Sequence, residues 1–136
     1  MYETFDHTAD LGLRIRAADL PGLFAEAARG LFSVIVADCR QIRPEQQMTF
    51  ELEADRHDDL LRDWLGELLY TFHAEHLLLT GFDVTLDGTK LTATARGEPI
   101  DVARHEIDVE LKAVTYHGLK IEQTDDGWLA EVIIDT

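Results

Sequence analysis

Two stretches of this chain repeat apolar residues every third and fourth position, while most of the remainder alternates every second, and that contrast restricts the fold more than any other feature. Leu20, Leu23, Phe24, Ala27, Ala28, Leu31, Phe32 and Ile35 form the first helical stripe. Asp19 is placed to cap that helix, and Pro21 suits its first turn, where a missing N–H costs nothing. Leu60, Leu61, Trp64, Leu65, Leu68, Leu69 and Phe72 form the second stripe, with Asp55 as the expected N-cap and Asp58 three residues on. On its outer side Asp59, Asp63 and Glu67 fall four apart and read as a solvated acidic face.

The alternating segments read as strands. Tyr2 to Phe5 is short; Leu11, Leu13 and Ile15 alternate with Gly12, Arg14 and Arg16; Met48, Phe50 and Leu52 alternate with Thr49, Glu51 and Glu53. From Phe82 onward the pattern is sheet. Val84 and Leu86 lead to the hairpin signal Asp87-Gly88, and Leu91, Ala93 and Ala95 return. Val109, Leu111, Ala113 and Thr115 precede Gly118, and Leu119 and Ile121 lead to a turn at Asp125-Asp126-Gly127 before the closing run Trp128 to Ile134. This order lacks the strict alternation of a doubly wound fold and predicts an α+β two-layer sandwich, two amphipathic helices packed on a mixed, mostly antiparallel sheet. A chain of 136 residues, 46% of them hydrophobic, can bury one sizeable core, so residues 1–136 are expected to form a single domain.

Charge narrows the function. With 27 acidic against 12 basic side chains the formal charge is −15, and both halves of the chain share it. Such a field repels phosphate backbones and anionic membranes and attracts cations or a basic protein partner. Direct nucleic-acid or membrane binding is therefore not expected. Cys39, the single cysteine, excludes an internal disulfide, and no apolar stretch approaches the roughly 20 residues of a membrane span. A cytoplasmic, reducing setting fits these features.

The strand-like run Trp128 to Ile134 leads straight into Asp135 and the α-carboxylate of Thr136, and carboxylates set side by side repel unless a cation or a donor lies between them. Asp6-His7-Thr8-Ala9-Asp10 crowds two more carboxylates and an imidazole into one short connection. An oxygen set from Asp10, Asp135 and Thr136 suits a hard divalent cation such as calcium, magnesium or manganese rather than zinc or copper. None of the six histidines makes an HExxH pair; His73 and His76 suit a helix end, and His105 and His117 stand in the strand-rich half. Nucleophile signals are weak, since Ser33 lies inside an apolar helix and Cys39 has no flanking signature. No glycine-rich phosphate loop is present.

Four separated segments add a resemblance. Asp6-His7-Thr8-Ala9-Asp10-Leu11-Gly12, Asp63-Trp64-Leu65-Gly66-Glu67-Leu68-Leu69-Tyr70, Gly97-Glu98-Pro99-Ile100-Asp101 with Arg104-His105, and Lys112-Ala113-Val114-Thr115-Tyr116-His117-Gly118-Leu119 resemble, in order and spacing, the archease family. The ending from Gly127-Trp128 to Asp135 is similar as well. Gly66 departs from the family in standing where many members carry a polar residue.

The resemblance implies a protein cofactor rather than an enzyme. Archeases activate the GTP-dependent tRNA-splicing ligase: they promote guanylylation of its active-site histidine, allow multiple turnover and broaden nucleotide use. The family's metal site maps onto Asp10, Asp135 and Thr136, with a divalent ion expected there, calcium before magnesium or manganese. Two other readings stand beside this one. One is a metal-dependent phosphoester hydrolase built on Asp10, Asp135, His7 and His117, and the other is a chaperone-like binding module.

Overall fold

A computed structural model describes residues 1–7, 10–107 and 110–136, and of Asp6, His7, Tyr116 and His117 the main chain only. In chain order the elements are β1 (Tyr2–His7), β2 (Asp10–Ala17), α1 (Leu20–Ile35), a 3-10 turn at Cys39–Gln41, β3 (Gln46–Glu53), α2 (His57–Glu75), β4 (Leu77–Asp87), β5 (Lys90–Pro99), β6 (Ala113–Thr124) and β7 (Gly127–Asp135). Strand pairings among the described residues are antiparallel and divide into two sheets, ordered β1-β2-β7-β6 and β3-β5-β4. The expected α+β sandwich is thus the architecture observed, with its strands shared between two sheets that the helices cover. Helix α1 packs on β2 and β4, and α2 packs chiefly on β6.

The first helix begins as its sequence predicts. Asp19 takes extended dihedrals and its carboxylate accepts from the Gly22 N–H at 2.7 Å, satisfying one of the unpaired amides of the first turn. The second helix begins later than expected. Asp55 is not its cap: the Ala54 N–H bonds to Thr89 O at 3.3 Å and holds the chain alongside the Lys90 end of β5, so Arg56 becomes the N-cap without a side-chain bond. Asp58 and Asp59 in the first turn supply the negative charge that this helix end favours.

Both apolar stripes meet in one core. Trp64, wholly buried, packs edge-on against Phe50 of β3 at 5.4 Å and Phe82 of β4 at 6.3 Å, and its indole N–H donates to Phe24 O of α1 at 3.0 Å. Phe82 in turn stacks on Phe32 at 5.9 Å. One side chain therefore links both helices to the three-stranded sheet, and burying an aromatic of this size is among the largest single contributions to such a core.

The four-stranded sheet carries an ion-pair ladder across its exposed face. Glu3 of β1, Arg14 of β2, Glu131 of β7 and Lys120 of β6 follow one another, with Arg14 at 3.1 Å from Glu3 and 2.7 Å from Glu131, and Lys120 at 3.0 Å from Glu131. Opposite charges in directly facing positions favour this register over a slipped one, which would set them on the wrong face.

Strand β4 starts at Leu77, five residues before the position expected from periodicity. The buried run Leu77-Leu78-Leu79 has no alternation to read, and a register shift between Thr80 and Asp83, at a glycine with φ +60° (Gly81), breaks the pattern in the middle of the strand. In β5, Gly97 is obligatory because any Cβ there would collide with the Leu78 carbonyl oxygen.

Candidate metal centre at the end of the four-stranded sheet

Asp10 opens β2 and Asp135 closes β7, so one end of the sheet collects the predicted ligands. The β2–β7 register pairs Leu11 with Ile134, so Asp10, just before Leu11, and Asp135, just after Ile134, stand at the same end of this strand pair. Residues directly opposite across an antiparallel pair project from the same face with Cβ atoms roughly 4.5–5.5 Å apart. Asp10 and Asp135 are therefore neighbours at this sheet end, with Thr136 one residue beyond. Asp10 is half-buried, whereas Asp135 and Thr136 are exposed. On the other side of β7, Asp135 pairs with Ala113, and the Lys112 N–H donates to Asp135 O at 2.8 Å, which ties the end of the chain into the sheet.

The donors that can converge here are carboxylate oxygens, the set a hard divalent cation takes. Among the described residues no group of three or more His, Cys, Asp or Glu side chains forms a compact cluster. Asp10 and Asp135 supply two carboxylates, and a full shell would need further oxygen donors such as water. Thr8 and Ala9 of the preceding connection lie outside the described residues. So do the side chains of His7 and His117, on which the hydrolase reading relied.

Other predicted site residues go elsewhere. His105 is enclosed in a buried network: its Nδ1 accepts from the Asp101 N–H at 2.9 Å, so its ring proton sits on Nε2, which faces Glu98 Oε2 at 3.2 Å and Gln41 O at 3.3 Å. Glu98, also buried, accepts from the Arg43 N–H at 2.6 Å and from the Arg104 guanidinium. Burial works against ionisation of Glu98, but the Arg43 N–H, the Arg104 guanidinium and His105 together outweigh it and hold the carboxyl below its ordinary range. The motif from Gly97 to His105 is therefore a clamp between β5 and the segment after the 3-10 turn. Spacing alone could not reveal this, because Arg43 and Gln41 come from some sixty residues away in sequence.

His73 bonds through Nε2 to Leu111 O at 2.7 Å, and His76 takes the left-handed conformation with φ 55° that terminates α2. Both are structural, as their position near a helix end predicts. Ser33 donates back to Gly30 O at 2.6 Å inside α1. Burial, with the Asp38 carboxylate nearby, pushes the Cys39 thiol up, away from the thiolate form that a nucleophile requires. No helix is long and apolar enough to cross a membrane among the described residues.

The fold and this sheet end define a small acidic α+β protein in which the start of β2 and the end of β7 each carry an aspartate. Residues 2–136 match the model of the Archease protein family (MTH1598/TM1083), and the chain belongs to the archease family. Among its relatives are protein archease of Methanopyrus kandleri, 38% identical over 98% of both chains, and protein archease of Pyrococcus abyssi, 37% identical over 98% of this chain and 97% of that one. Among solved structures, protein 1598 of Methanobacterium thermoautotrophicum superposes with a TM-score of 0.87 at 36% identity, over 99% of this chain and 98% of that one. An archease of Thermotoga maritima described as a possible chaperone shares the fold, with a TM-score of 0.70 at 23% identity over 100% of this chain and 98% of that one.

Proposed function

We propose that this chain is a protein cofactor of the GTP-dependent tRNA-splicing ligase, promoting guanylylation of the ligase's active-site histidine and thereby allowing multiple turnover and wider nucleotide use. The reading is supported by family membership across residues 2–136 together with the β2–β7 register, which brings the start of β2 alongside the end of β7. Asp10, Asp135 and the Thr136 carboxylate would hold a divalent cation, calcium in the isolated protein and magnesium or manganese as alternatives. When bound, such an ion supplies positive charge able to offset the negative charge developing on a triphosphate and its leaving pyrophosphate.

The chain's own part is recognition and placement. A ligase that handles RNA and GTP must present basic surface, and a partner of net charge −15 is drawn to it and held in a salt-sensitive encounter. Asp10, half-buried and anchored in β2, is held in place more firmly than a loop carboxylate, so the site is oriented before the partner arrives. The ligase remains the catalyst, and the same charge leaves direct RNA binding by this chain unfavourable.

The test is a guanylylation assay of the cognate ligase titrated with this protein. Wild type should raise the rate of histidine labelling and the number of turnovers, and Asp10→Ala and Asp135→Ala should each lose the stimulation while remaining folded. Full stimulation by both variants would remove the metal role, and no stimulation by wild type would remove the cofactor reading.

A further inference from the structure

A cleft of about 510 Å³ runs between α2 and the start of β6. Its helix wall is the stripe Asp63, Gly66, Glu67 and Tyr70, spaced so that all four share one face; Lys112 and Val114 stand on the strand wall. Four observations single it out. Tyr70 is 65% exposed at the rim, the only aromatic on either helix to project so far into solvent among the described residues. Gly66 lies in mid-helix, where glycine weakens the helix relative to alanine, yet a Cβ there would meet nothing within 4 Å, so no packing within the chain demands it. Glu67, unlike Asp63, which is engaged by Arg62 at 3.0 Å, has no ion pair among the described residues. Finally, the cleft adjoins the carboxylate end, since Ala113 pairs with Asp135 and the Lys112 N–H donates to Asp135 O.

We propose that this cleft receives an arginine side chain from the surface of the partner protein. A guanidinium can lie flat on the Tyr70 ring while donating to the Glu67 carboxylate, and its methylene stem can cross the space left open at Gly66 toward Leu69. Lys112 stands on the opposite wall and Arg62, engaged by Asp63, beside the stripe, so Glu67 is the carboxylate that the guest meets. Lysine fits less well, because its compact ammonium neither stacks nor forks. An exposed aromatic over a concave, partly apolar surface is the usual anchor of a protein interface. The proposal takes the partner to be the ligase proposed above, whose basic surface would supply the arginine, and it makes the cleft and the carboxylate end a single docking face.

The experiment has two arms. In the first, a fluorescently labelled peptide of alternating arginine and glycine is titrated with the full chain at low salt, against the same peptide with lysine for arginine. The arginine peptide should bind more tightly. Tyr70→Ala and Gly66→Leu should each weaken it about tenfold, the loss of one anchoring contact. Gly66→Leu should keep or raise the melting temperature, because leucine is the better helix former, and Asp126→Asn should change nothing. Equal binding by wild type and both cleft variants, equal binding of the two peptides, or an equal loss in Asp126→Asn overturns the proposal.

In the second arm, the concentration of this protein giving half-maximal ligase guanylylation is measured. Tyr70→Ala and Gly66→Leu should raise it about tenfold. If wild type stimulates and both variants match it at every concentration, the cleft proposal falls alone. If wild type fails to stimulate, the ligase reading falls, and the peptide titration decides the cleft.

Discussion

Replacing Glu98 by glutamine should destabilise the protein at neutral pH and cease to matter in acid. The carboxylate is 4% exposed and serves three donors: the Arg43 N–H at 2.6 Å, the Arg104 guanidinium, and His105 Nε2 at 3.2 Å. A glutamine of nearly the same shape has one acceptor oxygen and turns its NH2 toward one of these donors, so at least one of them loses its partner. Removing one member of a fully buried ion pair costs about 3–5 kcal/mol. Here the loss is softened, because Arg104 is only partly buried and also donates to Gln41 O at 3.1 Å, while His105 has Gln41 O at 3.3 Å as a second acceptor. About 2–3 kcal/mol is the expected penalty for Glu98→Gln, with Glu98→Ala costing more because it also opens a cavity. A domain of this length is stable by roughly 7–20 kcal/mol at about 0.05–0.15 kcal/mol per residue, so both variants should fold and be measurable. The pH dependence follows from the lowered carboxyl pKa, caused by the Arg43 N–H, Arg104 and His105 acting against the burial penalty. A depressed carboxyl contributes stability that is fully present above its ordinary value of 4.5 and is lost as pH falls through its folded value. Urea unfolding followed by circular dichroism should show the full gap between wild type and Glu98→Gln at pH 7 and a shrinking gap below pH 4.5. Equal stability at pH 7, or a gap that persists undiminished in acid, would refute the clamp.

Three further outcomes are expected. Glu131→Gln, which breaks the ladder at its centre, should cost under about 1 kcal/mol at low ionic strength and nothing measurable in 1 M salt, because its partners Arg14 and Lys120 are partly or largely exposed; the comparison is a urea titration at both salt levels. Calcium at about one hundred times its dissociation constant should stabilise the wild type by roughly 2.7 kcal/mol, seen as a rise in melting temperature by calorimetry, and Asp10→Ala should show no rise. Cys39 should react with a thiol reagent at pH 8 more slowly than free cysteine, since burial and Asp38 hold its thiol protonated, and should speed up when the protein is unfolded in urea.

Both helices could be read from the chain because their apolar stripes are long and each keeps a single period; Trp64 and Phe24 were recognisable as core residues on that ground alone. The N-cap of α2 falls one residue after the one its sequence predicts, since the bond from Ala54 to Thr89, just beyond the β3–β5 pairing, joins segments that no local pattern connects. The early part of β4 is illegible in the sequence for a related reason. Three consecutive buried leucines suit a helix or a strand equally well, and only the partner strand decides between them.

Local physics in the sequence therefore determined the element types and the acidic surface, and its carboxylate chemistry marked Asp10, Asp135 and Thr136 as candidate ligands, because periodicity, charge and side-chain type are legible without distant contacts. Tertiary structure alone decided that β2 and β7 are adjacent, so that Asp10 and Asp135, 125 residues apart in the chain, lie at the same sheet end. It also drew Glu98, Arg104 and His105 into a buried clamp with Arg43 and Gln41, and set Tyr70 and Gly66 beside the start of β6, where Ala113 pairs with Asp135. Each of these is a contact between distant segments, and such contacts are chosen by how the apolar faces pack together rather than by any residue's neighbours in sequence.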